Sequence, residues 1–123
     1  MQQLQFEASW DKALSPQDRQ KIEQVFNETK HGSEIHCTSL QVAMNHKEAL
    51  LVTVIVHNFT NHLLTFHQTK VSYHIDEKCI ADHAFTLPAL AIPPKVSMPW
   101  TFIFPKGSYK PNFSYEKGQL VIH

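Results

Sequence analysis

The ten residues Leu50–Phe59, LLVTVIVHNF, leave this chain few folds to choose from. They are dense in β-branched and aliphatic side chains, which fit a pleated surface and lose rotamer freedom on a helix. Such a run marks a central strand covered by core on at least one face. The polar stretch Asn58–His62 (NFTNH) breaks it. A sheet must therefore lie at the centre of the fold.

The segments around that run carry the period of two expected of strands. In Glu34–Met44, Ile35 and Cys37 and then Leu40, Val42 and Met44 alternate with polar residues, and the shift of phase places a bulge near Ser39. Asn45–Lys47 reads as a turn, and Leu63–Thr69 begins another extended run. Val71, Tyr73 and Ile75 alternate with Ser72 and His74, and Cys79–Phe85 follows a turn at Asp76–Lys78 that lacks the usual glycine. Five of the seven prolines fall between Leu87 and Pro105, which forbids a helix there and suits sandwich edges or crossovers. Within that stretch Trp100, Phe102 and Phe104 alternate as a core-facing aromatic strand, and Leu120–Ile122 reads as the last strand.

A helical period occurs once. Ser15, Pro16 and Asp18 supply an N-cap, a first-turn proline and an acidic third position. Ile22, Val25, Phe26 and Thr29 follow at helical spacing, and Gly32 reads as a stop. The helix is expected over about 16–29 and the strands from about 34 onward. The fold class is mostly β: an immunoglobulin- or fibronectin-like sandwich of about six to seven strands with one short N-terminal α-helix. At 123 residues it reads as one domain spanning 1–123.

Composition then narrows the function. Eleven basic residues balance eleven acidic ones, where nucleic-acid or anionic-membrane binding favours a basic excess. The longest apolar run falls far short of the roughly 20 residues that span a bilayer, and the first residues do not read as a secretory signal. A cytoplasmic location is expected, with Cys37 and Cys79 as reduced thiols serving as small core filler.

Nine histidines are the one compositional oddity: His31, His36, His46, His57, His62, His67, His74, His83 and His123. A zinc site wants three or four converging ligands started by a short pair, and neither HxH nor HExxH occurs. No metal site and no cofactor is expected, and scattered histidines are the simpler reading. A histidine-based metal- or pH-responsive domain is the alternative. No GxSxG elbow or glycine-rich phosphate loop occurs either, so no catalytic residue is proposed and the chain reads as a non-enzyme. The candidate partner-binding residues are aromatic: Trp10 ahead of the helix, and Tyr109, Phe113 and Tyr115 in a loop with lysine and proline. An open strand edge is the other candidate surface.

The order of these features resembles the SLAP domain family. The matching residues are Phe6, Trp10 and Asp11, the SPQDRQKIEQVF helix, the LLVTVIVHN strand and the closing IPPKVSMPWTFIFP. In that closing motif Pro94, Ser97, Pro99, Trp100, Phe102, Phe104 and Pro105 fall in the family's pattern, and the resemblance runs from about Phe6 to Ile122. These small domains take their name from the S-layer assembly protein that accompanies the accessory Sec export system. The resemblance implies a cytoplasmic, non-enzymatic helper in export or assembly of surface-layer proteins. Its protein partner would be export machinery or a surface-layer precursor. It supplies no catalytic residue.

Overall fold

A computed structural model describes residues 1–112 and 114–123. The elements in chain order are β1 (Gln3–Leu4), α1 (Ala8–Ala13), α2 (Pro16–Thr29), β2 (Ile35–Met44), β3 (Leu50–Asn58), β4 (Leu64–Thr65), β5 (Thr69–Ile75), β6 (Lys78–Phe85), β7 (Ala91–Ile92), β8 (Val96–Phe104) and β9 (Gln119–Ile122). The expected mostly-β sandwich is what forms. One sheet runs β1-β8-β3-β2, facing it is β6-β5-β9, and β4-β7 is a small ribbon.

β3 is central, antiparallel to β2 on one side and β8 on the other. Its alternation is used on both faces. Val52, Val54 and Val56 join Val71, Tyr73, Phe102 and Phe104 in the core between the sheets. Ile55, on the opposite face, meets Ile22 and Phe26 of α2 in a second cluster. The molecule is thus three layers, helices on sheet on sheet, and both faces of β3 are covered.

The helical layer differs from expectation by one element. A second helix, α1, precedes α2 and lasts only six residues. Its cap is the Glu7 carboxylate accepting from the Ser9 N–H (3.1 Å), where a serine or aspartate is the usual signal. α2 begins as its sequence dictates, with Ser15 Oγ accepting from the Asp18 N–H (3.1 Å) and Pro16 in the first turn. Arg19 fastens the two helices together: its guanidinium bonds the Asp11 carboxylate (2.8 Å) and lies 4.7 Å from the centre of the Phe6 ring. Gly32 lies beyond the helix end because the Phe59 ring occupies the space a side chain would need; a Cβ there would sit 2.4 Å from it.

Other local expectations meet the structure directly. The register of β2 against β3 shifts between Ser39 and Gln41, which is the bulge. Asn45 closes its turn by accepting from the Lys47 and Ala49 N–H groups. The β5–β6 hairpin turns on Asp76 (φ 51°) and Glu77 (φ 66°), so two acidic residues adopt the left-handed conformation usually given to glycine. Two expectations need correction. The run beginning at Leu63 pairs over only Leu64–Thr65 before the chain bends toward β5. Cys79 is exposed beside the hairpin turn and fills no core, whereas Cys37 is buried; both are free thiols.

Candidate functional site

The edges of the two sheets are managed in different ways. β2 and β9 lie side by side and are bridged by side chains, Ser39 Oγ to the Gly118 carbonyl (2.9 Å) and Gln119 Nε2 to the Cys37 carbonyl (2.8 Å). The outer edge of β6 is met by the loop after β8, through Asp82 N–H to Ser108 O (3.1 Å) and Lys110 N–H to Ile80 O (2.7 Å). Among the described residues the outer side of β8 is paired only at its start, where β1 runs parallel to it at Val96 and Ser97.

That short pairing fixes which way β8 points its backbone. The Gln3 N–H bonds Lys95 O (3.0 Å) and the Gln5 N–H bonds Ser97 O (2.9 Å), so Lys95 and Ser97 face outward. Strand periodicity then turns Pro99, Thr101 and Ile103 outward too, while Met98, Trp100, Phe102 and Phe104 bond β3. The close pair Thr53–Thr101 (hydroxyls 2.8 Å apart) sits at the side-by-side position this phase demands. Pro99 therefore costs the β3 ladder nothing, since the N–H it lacks would have pointed to the open side. Beyond Ser97, the carbonyls of Pro99, Thr101 and Ile103 and the N–H groups of Thr101 and Ile103 have no backbone partner among the described residues.

The edge is also flanked by apolar surface. A cleft between the two sheets is bounded by Phe85 and Leu87 on one side and Trp100, Ile103 and Pro105 on the other. Ile103 is 52% exposed, whereas Phe102 and Phe104 are fully buried. Trp100 points into the sandwich at this opening and is half-buried. On the helical face a second groove runs beneath the α1–α2 elbow past Trp10, Leu14, Leu40 and Thr101. Trp10 is half-buried there and packs with the second cluster.

The loop aromatics are placed otherwise. The Tyr109 hydroxyl donates to Glu48 O (2.7 Å), and its ring meets the Tyr115 ring edge-on at 5.8 Å. The Tyr115 hydroxyl donates to Lys110 O (3.0 Å) and accepts from the Asn112 N–H (3.2 Å). Both are half-buried and bind the loop to itself and to the β2–β3 turn. Phe113 lies outside the described residues. Of the closing motif, Pro94 and Pro105 are exposed at either end of β8, and Pro99 is buried within it.

A polar chain that the spacing of residues did not announce runs under the helices. His57 and Ser97 are cross-strand neighbours and both are fully buried. Thr29 Oγ1 donates to Val25 O (2.7 Å), so it can only accept from His57 Nε2 (2.9 Å). The other ring nitrogen, Nδ1, then accepts from Ser97 Oγ–H (2.6 Å), and Ser97 Oγ accepts in turn from Gln2 Nε2 (2.9 Å). The hydrogen-bond directions assign the tautomer, a neutral imidazole with its proton on Nε2. Burial pushes the His57 pKa down to about 4, and His36 adds a smaller push the same way. A serine this close to an imidazole has the spacing of a nucleophile and its base. Here the far nitrogen meets a threonine hydroxyl, and solvent reaches neither residue. A histidine inside a dense apolar strand was the signal that could have led to it.

Among the described residues no three His, Cys, Asp or Glu side chains converge as metal ligands would. His74 and His123 share one hydroxyl, that of Ser72, each at 2.7 Å. No helix among the described residues is long and apolar enough to cross a membrane.

No curated protein and no solved structure matches this chain. The family model described as the SLAP domain matches residues 4–119, nearly the whole length. The chain belongs to the SLAP domain family.

Proposed function

We propose that this protein is a non-enzymatic binding module that takes up an extended segment of another protein along the outer edge of β8. The observation that carries the reading is the unpaired backbone row from Pro99 to Ile103, lying beside an apolar cleft. Strand addition obtains affinity from main-chain hydrogen bonds and specificity from pockets for alternate side chains. Both components are available at this edge. Membership of the SLAP family supports a finer reading, in which the bound segment belongs to export machinery or a surface-layer precursor in the cytoplasm.

The test is Thr101→Pro. It removes an outward N–H and, as at Pro99, leaves the backbone bonds to β3 in place, with the Thr101 hydroxyl's contact to Thr53 lost alongside. Wild type and variant serve as paired baits, and bound proteins are compared by mass spectrometry. Proteins held by wild type and lost at least about tenfold from a folded variant support the edge, the loss expected when main-chain bonds carry the affinity. Equal capture by both sinks the edge. Loss on Tyr115→Ala instead would move the surface to the Tyr109–Tyr115 loop.

A further inference from the structure

β1 already occupies the first part of the edge just described. It is two residues long, and the Gln2 side chain just ahead of it reaches past the ladder to Ser97 Oγ (2.9 Å) and Asn58 O (3.2 Å). Gln2 is thereby the end of a directed chain that continues through Ser97, His57 and Thr29 to the Val25 carbonyl. Each hydroxyl in that chain gives one proton and receives one. A second ring proton, on Nδ1, would reverse the bond to Ser97: the hydroxyl proton must turn away from the ring, and the one oxygen must accept from both the ring and Gln2.

We propose that the N-terminal strap is a proton-controlled cover of the β8 edge: when His57 becomes charged, residues 2–5 leave Lys95–Ser97 and the row open to an incoming strand lengthens.

The surroundings of the ring give a charge no partner. Phe59 stacks on it at 5.0 Å, with Phe26 at 6.3 Å and His36 at 6.4 Å on further sides. The carboxylates of the neighbouring elements, Asp18, Glu23 and Glu28 of α2 and Glu34 ahead of β2, are exposed, and the charged side chains in contact with the aromatic rings and backbone around His57 are cationic. Lys30 at the end of α2 lies over the Phe26 ring (5.9 Å), and Lys95 ahead of β8 donates to Phe59 O (2.6 Å). No carboxylate contributes to the environment of His57, and His36 is itself a base that would repel the charge. An uncompensated buried charge is relieved by admitting water. The strap is the cheapest route for it, since β1 is a two-residue strand at the sheet margin, whereas α2 buries Ile22 and Phe26. Its departure frees Lys95 O and the Ser97 backbone, extending the open row from Pro99–Ile103 to Lys95–Ile103.

The proposal rests on strand addition at β8 as its purpose, but the strap itself is read without any partner. Amide exchange of the intact protein is followed at residues 2–6 near about pH 7.5 and about pH 5, corrected for intrinsic rates. With the ring titrating at about 4 when covered and regaining up to its ordinary value of about 6.5 when open, strap opening should rise at the lower pH, by at most about 30-fold. Amides of β3 and β5 should stay protected throughout. His57→Phe should abolish the rise, and Ser97→Ala, which removes only a hydroxyl, should loosen the strap already at the higher pH. An unchanged wild-type strap overturns the proposal, as does an equal rise in His57→Phe or loss of protection in β3 and β5 together with the strap. If the edge reading alone is wrong, strap opening still follows pH while Thr101→Pro leaves partner capture unchanged.

Discussion

Gly118 rests directly on the Tyr73 ring: its N–H donates to the Tyr73 hydroxyl (3.1 Å), and a Cβ at that position would lie 2.3 Å from the ring. Tyr73 is fully buried and its hydroxyl in turn donates to Tyr115 O. One phenol therefore holds the entry to β9 against β5.

Gly118→Ala is expected to destabilise by about 1–3 kcal/mol, because the added methyl meets a ring that cannot move. Tyr73→Phe keeps the ring and loses the hydroxyl's bonds, for about 1 kcal/mol. Urea unfolding of the three proteins checks both, and a Gly118→Ala midpoint equal to wild type would refute the contact.

Stability should depend on pH through His57. The folded protein holds the ring neutral down to about 4, while the unfolded chain takes its proton near about 6.5. Its contribution is fully present above the unfolded value and is lost as pH falls through this window, by roughly 3 kcal/mol in all. Urea midpoints of wild type should decline across that range. His57→Phe should decline less, and parallel curves would count against His57 as the cause.

The two thiols should react in sequence. Burial pushes the Cys37 thiol up to about 12, while Cys79 stands exposed. Iodoacetamide on the native protein should modify Cys79 alone, and Cys37 only once urea unfolds the chain. Mass spectra showing both labelled without urea would contradict the burial.

Asn58 holds the corner after β3. Its Nδ2 donates to His62 O (2.7 Å), Ile92 O (3.0 Å) and Pro93 O (3.2 Å), and its Oδ1 accepts from the Thr60 N–H (3.1 Å). Asn58→Ala leaves these buried groups without a partner, so a loss of about 2–4 kcal/mol is expected. Thermal unfolding by circular dichroism checks it, and a wild-type transition temperature would refute the role.

Much of the fold was legible where the causes are local. Ser15, Pro16 and Asp18 start α2, and the β-branched run makes β3, because capping and pleat-packing act within a few residues. α1 was not legible, since six residues give too little periodicity and its cap is a glutamate. The exposure of Cys79 depends on the hairpin end it occupies, which pairing with β5 decides. The candidate site divides the same way. Pro99 hinted at an edge, but which of its sides is open follows from Gln3 and Gln5, nearly a hundred residues away. The chain from Gln2 to Thr29 joins four separate segments, and no spacing along the sequence encodes it.

The missing N–H of Pro99 leaves the unpaired stretch of β8 with three carbonyls and two N–H groups among the described residues. Two copies of this edge laid against each other would share the same deficit of donors, whereas a foreign strand free of proline can supply the extra hydrogen. The strand thus carries a bias in its own backbone for telling a stranger from a sibling, set by one ring in place of one hydrogen.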